Sequence, residues 1–217
     1  MDIAIRLQKI KDSLPAHVTL AAVSKYHPCA SIEQAYAAGQ RIFAESRAQE
    51  LLDKQTTLPA DIQWHFIGHL QTNKVKSIVP FIDLIQSVDS LHLLQEINKQ
   101  AQRIDRPIRV LLQVHIAQEE HKFGFTPEEV PGILQQDFSH IHFCGLMGMA
   151  TFSDDDVLIS SEFSSLRSLF DTIRNENQID KSLFSICSCG MSDDYPLAIA
   201  QGSNMVRVGS AIFGSRQ

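Results

Sequence analysis

The stretch Val18-Thr19-Leu20-Ala21-Ala22-Val23-Ser24-Lys25 decides the fold of this chain. It is an almost continuous run of small and branched apolar residues that ends in a serine and a lysine. Apolar runs of this length predict a strand buried on both faces, as in a parallel sheet. We therefore take residues 18–25 as the first strand of such a sheet, with Lys25 at its carboxyl end.

Helical patterns flank this strand on both sides. Downstream, Ser31 and Gln34 have the spacing of a capping box, and Gly39 has the position of a helix terminator. Upstream, Pro15 ends a pattern with helical 4-3-4 spacing, which predicts an N-terminal helix. The residues of that pattern are Ile3, Leu7, Ile10 and Leu14.

The alternation of strand and helix continues along the whole chain. Helix-sized segments separate strand-like runs at residues 18–25, 41–45, 63–68, 81–88, 108–116, 141–149, 183–189 and 205–208. Such alternation predicts βαβ units and a parallel sheet. Eight units predict an α/β fold, a single (β/α)8 TIM barrel domain over residues 1–217 with an extra N-terminal helix. The competing architecture is an open doubly wound sheet, but no Gly-x-Gly-x-x-Gly motif follows the first strand.

Composition and charge narrow the function classes. The 217 residues are 44% hydrophobic and carry a formal net charge of −6, which argues against nucleic acid as a partner. No apolar run has the length of a membrane span, and the N-terminus lacks the apolar region of a signal peptide. The four cysteines lack the spacing of a disulfide framework or a zinc site. These features predict a cytoplasmic protein without a membrane partner.

Lys25 is the first candidate for chemistry, because TIM barrels carry their active sites at the carboxyl ends of the strands. A lysine in this position is often only a solvated charge. Here its stem follows an apolar strand into the barrel mouth, where desolvation favours the neutral, nucleophilic amine. Such amines form Schiff bases with carbonyl compounds.

Two loops after strands seven and eight predict a phosphate site. Gly190-Met191-Ser192 precedes a short helix predicted at residues 193–201, with Ser192 as its N-cap. Gly209 and Ser210 follow the last strand, where Gly209 lets the backbone approach a ligand and Ser210 caps a terminal helix. Helix N-termini bind anions, and these two loops form the recurrent phosphate site of TIM barrels. Asp193 and Asp194 must then point away from the phosphate.

Arg207 completes the candidate site. It lies two residues before Gly209 and therefore points to the same face of the strand. An arginine aimed into the barrel mouth can donate a hydrogen bond to a ring nitrogen, whereas the alternative is a surface ion pair. A Schiff-base lysine, a phosphate site and this arginine together predict pyridoxal 5′-phosphate (PLP). Arginine does not give up a proton, so it leaves the ring nitrogen unprotonated and the ring a weak electron sink.

Several stretches of the sequence resemble the pyridoxal phosphate homeostasis proteins, which are similar to the N-terminal barrel of alanine racemase. They span nearly the whole chain: AVSK (22–25), FAESRAQE (43–50), WHFIGHLQTNK (64–74), IQSVD (85–89), GLM (145–147), GMSDD (190–194) and VRVGSAIFG (206–214). In the family's second-strand motif Phe-Gly-Glu-Asn, this chain has Ala44 and Ser46 in place of glycine and asparagine. Tyr26 and His27 replace the usual Thr-Lys after Lys25.

The resemblance implies a role for each residue of the candidate site. It makes Lys25 the Schiff-base lysine and places Arg207 at the pyridine nitrogen. The implied phosphate ligands are Ser192, Gly209 and Ser210, and the predicted cofactor-binding set also includes Met191 and Ser46. The implied function is PLP homeostasis: a monomeric protein that buffers PLP or delivers it to PLP-requiring apo-enzymes, without a catalytic residue of its own.

Two enzymatic alternatives remain at this point. A PLP enzyme with weak amino-acid racemase activity needs acid–base groups on both faces of the cofactor, and none of the tyrosines, Tyr26, Tyr36 and Tyr195, has an evident position there. The chain also ends shortly after strand eight, which predicts that the second domain of alanine racemase is absent. A metal-dependent hydrolase would use some of the nine histidines. No His-x-His motif ends the first strand, so we predict no metal.

Overall fold

The computed structural model describes residues 2–119, 123–175 and 179–214. Its strands are β1 Thr19–Val23, β2 Ile42–Glu45, β3 Gln63–Phe66, β4 Leu84–Val88, β5 Ile108–Val114, β6 Ile141–Gly148, β7 Ile186–Ser188 and β8 Met205–Val208. Its helices are α1 Ile3–Ser13, α2 Cys29–Ala37, α3 Ala48–Thr57, α4 Thr72–Ile78, α5 Leu91–Arg103, α6 Val130–Leu134, α7 Asp156–Asn175, α8 Tyr195–Ala200 and α9 Ser210–Phe213.

The eight strands form one closed barrel in chain order. Every neighbouring pair is parallel, and β8 returns to pair with β1 along four positions, from Thr19 opposite Met205 to Ala22 opposite Val208. The predicted (β/α)8 barrel is therefore confirmed and the open sheet is wrong. Closure brings the carboxyl ends of β1, β7 and β8 to one side of the barrel mouth.

The hydrophobic core has an outer layer and an inner one. The outer layer lies between strands and helices and contains most of the buried apolar side chains, such as Phe43, Phe66 and Phe170. The inner layer fills the barrel with two small clusters, around Leu84 and Met205 and around Ala21, Val23 and Ala44. The small side chains of β1 and β2 leave room at the barrel mouth.

The predicted N-terminal helix is present as α1. It buries Ile3 and Leu7 and packs against α2 and α9. The Nε of Arg6 donates to the carbonyl of Ile212 over 2.5 Å, which fixes α9 against the start of the chain. None of the helices in the described ranges combines the length and the apolar character that crossing a bilayer requires.

Most strands are shorter than the sequence predicts. The strand predicted at 81–88 begins at Leu84, because the N–H groups of Phe81 and Ile82 bond to the carbonyl of Ile78 in a turn that ends α4. The strand predicted at 183–189 spans Ile186–Ser188, since the preceding residues form a local turn. The strands predicted at 18–25, 41–45, 63–68, 108–116 and 141–149 are shorter by one to three residues.

The capping box predicted for α2 is wrong. The helix begins at Cys29, two residues before Ser31, and Pro28 occupies the N-cap position without a side-chain hydrogen bond. The N–H of Ser31 instead donates to the carbonyl of Pro28. A proline at this point sets a backbone conformation from which the helix starts at once.

Candidate functional site

A pocket of about 280 Å³ opens at the carboxyl ends of the strands. This volume is near the lower end of the range for small-molecule sites, about 300–1,000 Å³. Six of the seven predicted cofactor-binding residues line it: Lys25, Met191, Ser192, Arg207, Gly209 and Ser210. The other lining residues are Val23, His27, Ile67, Met149, Asp193 and Gly214. The structure therefore brings the predicted lysine, arginine and serines together, while their roles toward a cofactor stay predictions.

Lys25 lies two residues beyond β1 and is half-buried. The next residue, Tyr26, has a φ of 68°, a left-handed conformation that is uncommon for residues other than glycine. The N–H of Tyr26 donates to the Glu50 carboxylate over 2.6 Å, and the Arg47 guanidinium lies over the Tyr26 ring. These contacts hold the turn that presents Lys25 to the pocket and directs Tyr26 away from it.

A buried ion pair supports this turn from below. Lys54 Nζ donates to the carboxylates of Glu45 and Glu50 and to the carbonyl of Ser24, at 2.7, 2.7 and 2.8 Å. The Ser24 hydroxyl donates to the same Glu45 oxygen over 2.6 Å. Burial raises the pKa of the Glu45 carboxyl, and the Lys54 ammonium opposes this shift. The backbone just before Lys25 is thus anchored by charge-assisted hydrogen bonds.

Arg207 is buried inside the barrel, with 3% of its surface exposed, so the alternative of a surface ion pair is wrong. Its Nη1 donates to the carbonyl and hydroxyl of Ser188 at 3.0 and 2.7 Å, and its Nη2 donates to the carbonyl of Gly148 at 2.9 Å. Burial lowers the pKa of this guanidinium, yet arginine stays protonated at physiological pH. Among the described residues no carboxylate forms an ion pair with Arg207, and two of its five N–H groups have no acceptor.

The loops after β7 and β8 are joined to one another. Gly190 has a φ of +95°, and a Cβ there would lie 2.7 Å from the Cβ of Ala198, so the turn requires glycine. The N–H of Arg207 donates to the carbonyl of Gly190, and the N–H of Gly209 donates to the hydroxyl of Ser192 over 3.1 Å. Ser192 therefore links the two loops.

The predicted capping roles of the two serines are wrong. Helix α8 begins at Tyr195 with Asp194 as its N-cap, so Ser192 lies outside it. Helix α9 begins at Ser210 with Gly209 as its N-cap and no side-chain hydrogen bond. The Ser192 hydroxyl instead accepts from the N–H of Gly209. The backbone N–H of Ser210 is in the first turn of α9, where a helix supplies no acceptor.

The two aspartates of the first loop differ in position. Asp194 folds back and accepts a hydrogen bond from the N–H of Met191 over 2.5 Å, as the predicted orientation away from a phosphate requires. Asp193 lines the pocket and is exposed to solvent, in contrast to the prediction that it points away from a phosphate. A phosphate in this pocket would meet the hydroxyls of Ser192 and Ser210 and one carboxylate at the rim.

Ser46 is the predicted site residue that does not line the pocket. It follows β2 and is half-buried. Its backbone packs tightly against Gly68, where an added Cβ would lie 2.2 Å from the Ser46 carbonyl oxygen. A direct contact between Ser46 and a bound cofactor therefore stays an untested prediction.

Sequence reasoning missed His27 as a lining residue. Its ring stacks on Phe213 of α9, with 5.1 Å between ring centroids. Alternation along an extended strand would place residue 27 on the same face as Lys25, and this signal could have identified it. The three tyrosines are absent from the lining: Tyr36 donates to Asp61 and Tyr195 contacts Ser13.

The histidines do not form a metal centre in the described part of the chain, where no three His, Cys, Asp or Glu side chains are grouped to hold an ion. His65 is buried in β3 and bonds to Gln86. His69 pairs with Asp89 over 2.6 Å and precedes α4, which begins three residues later. His140 pairs with the exposed Asp105 at the opposite end of the barrel.

Comparisons with known proteins agree with this architecture. The family described as alanine racemase, N-terminal domain, matches residues 2–217. The pyridoxal phosphate homeostasis protein of Schizosaccharomyces pombe is 39% identical, over 98% of this chain and 90% of that protein. An alanine racemase from Clostridium difficile has a TM-score of 0.78 at 14% identity, over 97% of this chain and 55% of that one, which shows the shared barrel alone.

A solved structure gives the most informative likeness. PipY from Synechococcus elongatus, with PLP bound, superposes with a TM-score of 0.86 at 36% identity. The match covers 98% of this chain and 100% of PipY. The chain belongs to the alanine racemase N-terminal domain family and, within it, to the pyridoxal phosphate homeostasis proteins.

Proposed function

We propose that this protein binds PLP in the pocket at the barrel mouth and serves PLP homeostasis in the cell. The observation that carries the proposal is the shared lining of one pocket by Lys25, Arg207 and the two serines. Similarity to PipY, whose structure holds PLP, supports the same cofactor here. Residues 1–217 would then act as a single PLP-binding barrel domain.

The residues present fit the aldehyde, the phosphate and the ring nitrogen of this cofactor. The Lys25 amine faces the pocket and can condense with the aldehyde of PLP, forming a C=N bond and releasing one water. Ser192 and Ser210 offer hydroxyls to the phosphate. The N–H groups of Arg207 without acceptors suit an unprotonated pyridine nitrogen. Bound PLP supplies an aldehyde that holds amines covalently and a ring that withdraws electrons weakly beside an arginine.

The pocket favours holding PLP over turning a substrate over. Two-base racemisation needs acid–base groups on both faces of the cofactor, and no tyrosine lines the pocket. His27 is the imidazole in the lining and favours the alternative, a weak amino-acid racemase, as the second candidate. Racemase assays of the loaded protein and of a His27→Gln variant separate the two functions, since a carrier shows no turnover in either.

The first experiment adds PLP to the purified protein, records the visible spectrum, reduces with borohydride and maps the modified peptide. We expect a visible Schiff-base band and a pyridoxyl adduct on Lys25, both lost in Lys25→Ala. Lys99→Ala is the matched control, because Lys99 is exposed on α5 and pairs with Glu96 on the same helix. Adducts scattered over surface lysines, or a band that survives Lys25→Ala, contradict the proposal.

We also propose a monomer in the cytoplasm that passes PLP to apo-enzymes. Free cysteines support a reducing compartment: Cys144, Cys187 and Cys189 are buried as thiols and Cys29 is half-buried. Light scattering at several protein concentrations measures the molar mass in solution and so tests whether the protein is a monomer. Delivery is tested by mixing the loaded protein with a PLP-requiring apo-enzyme, with free PLP at the same concentration as the control. Activation faster than with free PLP supports direct transfer.

A further inference from the structure

A chain of buried polar side chains crosses the barrel interior from the pocket to the opposite end. Arg207 Nη1 lies 2.7 Å from Ser188 Oγ, which lies 2.7 Å from Gln86 Oε1. Gln86 Nε2 lies 2.9 Å from His65 Nδ1, and His65 Nε2 lies 3.3 Å from an Asp83 oxygen. The first four residues are at most 3% exposed. The mouth pocket is thus connected with Asp83, which lies just before β4.

The chemistry of the end residues determines the direction of every hydrogen bond. Arginine only donates, so Ser188 Oγ accepts from Arg207 and gives its own proton to Gln86 Oε1. The amide nitrogen of Gln86 then faces His65 and donates to its Nδ1. The remaining proton of a neutral imidazole is therefore on Nε2, where it donates to the Asp83 carboxylate. All donors point away from the pocket.

The electrostatic environment of His65 agrees with this arrangement. Burial lowers the pKa of His65, so its ring is neutral near pH 7 and has a single N–H. Arg109 Nη1 also donates to the Asp83 carboxylate, at 3.0 Å. Asp83 is therefore ionised and ends the chain as its acceptor, and the hydrogen bond from His65 lowers the pKa of Asp83.

We propose that Ser188 and Gln86 are positioning residues that orient the Arg207 guanidinium toward the ring nitrogen of PLP. This inference rests on the proposed function. Each dipole of the chain turns its oxygen or nitrogen acceptor toward Arg207, and together they stabilise a buried cation that has no carboxylate partner in the described residues. A carboxylate beside Arg207 would compete for the N–H groups that face the pocket. Neutral dipoles leave these groups available.

The first test measures PLP affinity and the visible band in Ser188→Ala and Gln86→Leu. Ser188→Ala removes one hydrogen bond to the charged Arg207, which predicts a PLP dissociation constant about 10-fold higher, and Gln86→Leu should raise it in the same direction. Ser188→Thr keeps the hydroxyl and should stay within about twofold of the unmodified protein. Gln100→Leu is the matched control, because Gln100 is a buried glutamine on α5 that bonds to Glu96 outside the barrel.

A second probe isolates the ring nitrogen. A phosphorylated aromatic aldehyde with CH in place of the pyridine nitrogen keeps the phosphate and the aldehyde but offers Arg207 no acceptor. The Ser188 and Gln86 variants should bind this probe as the unmodified protein does. An equal loss of affinity for both probes overturns the inference, since it would show general damage to the pocket.

A measurement without cofactor tests the direction of the chain. Nitrogen-15 NMR of the histidines should show His65 with its proton on Nε2 and an unprotonated Nδ1, and a proton on Nδ1 overturns the inference. If the unmodified protein forms the Lys25 adduct but Ser188→Ala and Gln86→Leu both keep its PLP affinity, the inference is overturned and the proposed function stands. No Lys25 adduct in the unmodified protein overturns the proposed function and the inference with it. If Gln86→Leu does not fold, Ser188→Ala and the NMR experiment decide.

Discussion

The two sides of the pocket are built on different interactions. On the β1–β2 side, Lys25 follows a strand end that is anchored by a buried ion pair between Lys54 and Glu45. On the β7–β8 side, the loops are joined through backbone groups and hydroxyls. Within the described residues, the hydrogen-bond partners of the cation Arg207 are neutral. One side therefore depends on paired charges, and the other on backbone geometry and dipoles.

This difference follows from what each side presents to a ligand. Lys25 has to stay reactive. The charges that fix its turn, Lys54 with Glu45 and Glu50, pair with one another and do not line the pocket. Arg207 and the serines have to contact the ligand directly, so their partners leave donors available. The following predictions separate the two kinds of support.

The largest loss of unfolding free energy is expected from Lys54→Met on the β1–β2 side. The substitution leaves Glu45 buried without its cation, and breaking a buried ion pair costs about 3–5 kcal/mol of unfolding free energy. Urea unfolding measures this cost, and Lys99→Met, which removes an exposed pair on α5, should cost about 1 kcal/mol or less. The double variant Lys54→Met/Glu45→Gln should recover much of the loss. A cost for Lys54→Met as small as for Lys99→Met would contradict a role of paired charge on the β1–β2 side.

The second largest loss of unfolding free energy is expected from Gly190→Ala on the β7–β8 side. Its positive φ and the close Cβ of Ala198 predict a loss of about 1–3 kcal/mol in unfolding free energy, with weaker PLP binding. Gly132→Ala is the control: it lies in α6 with no atom within 4 Å of the added Cβ, and alanine there should be neutral or stabilising by up to about 1 kcal/mol. Equal effects of the two substitutions would show that the Gly190 turn is not constrained.

The two sides also differ in how well the sequence predicts them. On the β7–β8 side, Gly190-Met191-Ser192 and Arg207-Val208-Gly209 are short motifs at the ends of two successive strands, so the sequence already indicates one site. The support of Lys25 comes from residues 20–30 positions away, and no local pattern connects Ser24 with Lys54. The alternation of strand-like and helix-sized segments along the chain predicts the barrel, because each unit adds one parallel strand.

Strand ends and caps are where local patterns fail. Residues 24 and 25 directly follow the apolar run and are predicted to belong to the first strand, but the Ser24 hydroxyl bonds to Glu45 and β1 ends at Val23. Ser192 has the sequence signature of an N-cap, yet closure of the barrel brings Gly209 within hydrogen-bond distance and Ser192 accepts from it instead. In both places a partner distant in sequence competes with the local one.

The chain of dipoles behind Arg207 predicts a pH effect on stability. Because burial lowers the pKa of His65, the unfolded chain binds more protons between that value and about 6.5, the ordinary value for histidine. Unfolding free energy should therefore fall as pH drops below about 6.5, by at most about 1.4 kcal/mol per pH unit from this group. His65→Gln should flatten the curve in this window.

The His65 measurement compares urea unfolding of the two proteins at several values between pH 5 and 7. Asp83 contributes in a different window, because its pKa is lowered and its stabilisation is lost only at more acidic pH. Arg109 stays charged throughout. Parallel curves for the unmodified protein and His65→Gln would show that His65 does not titrate with unfolding.

The smallest effect is expected from Asp193→Asn at the rim of the pocket. Removing an exposed negative charge near the phosphate position should tighten PLP binding about two- to fivefold at low salt, and this gain should shrink as salt is added. Asp137→Asn changes the net charge equally but lies before β6, at the opposite end of the barrel. If both substitutions tighten binding equally, the effect comes from net charge, and the phosphate is not held beside Asp193. If Asp193→Asn alone does so, the phosphate lies on the β7–β8 side, where neutral donors and backbone geometry hold it against a nearby carboxylate.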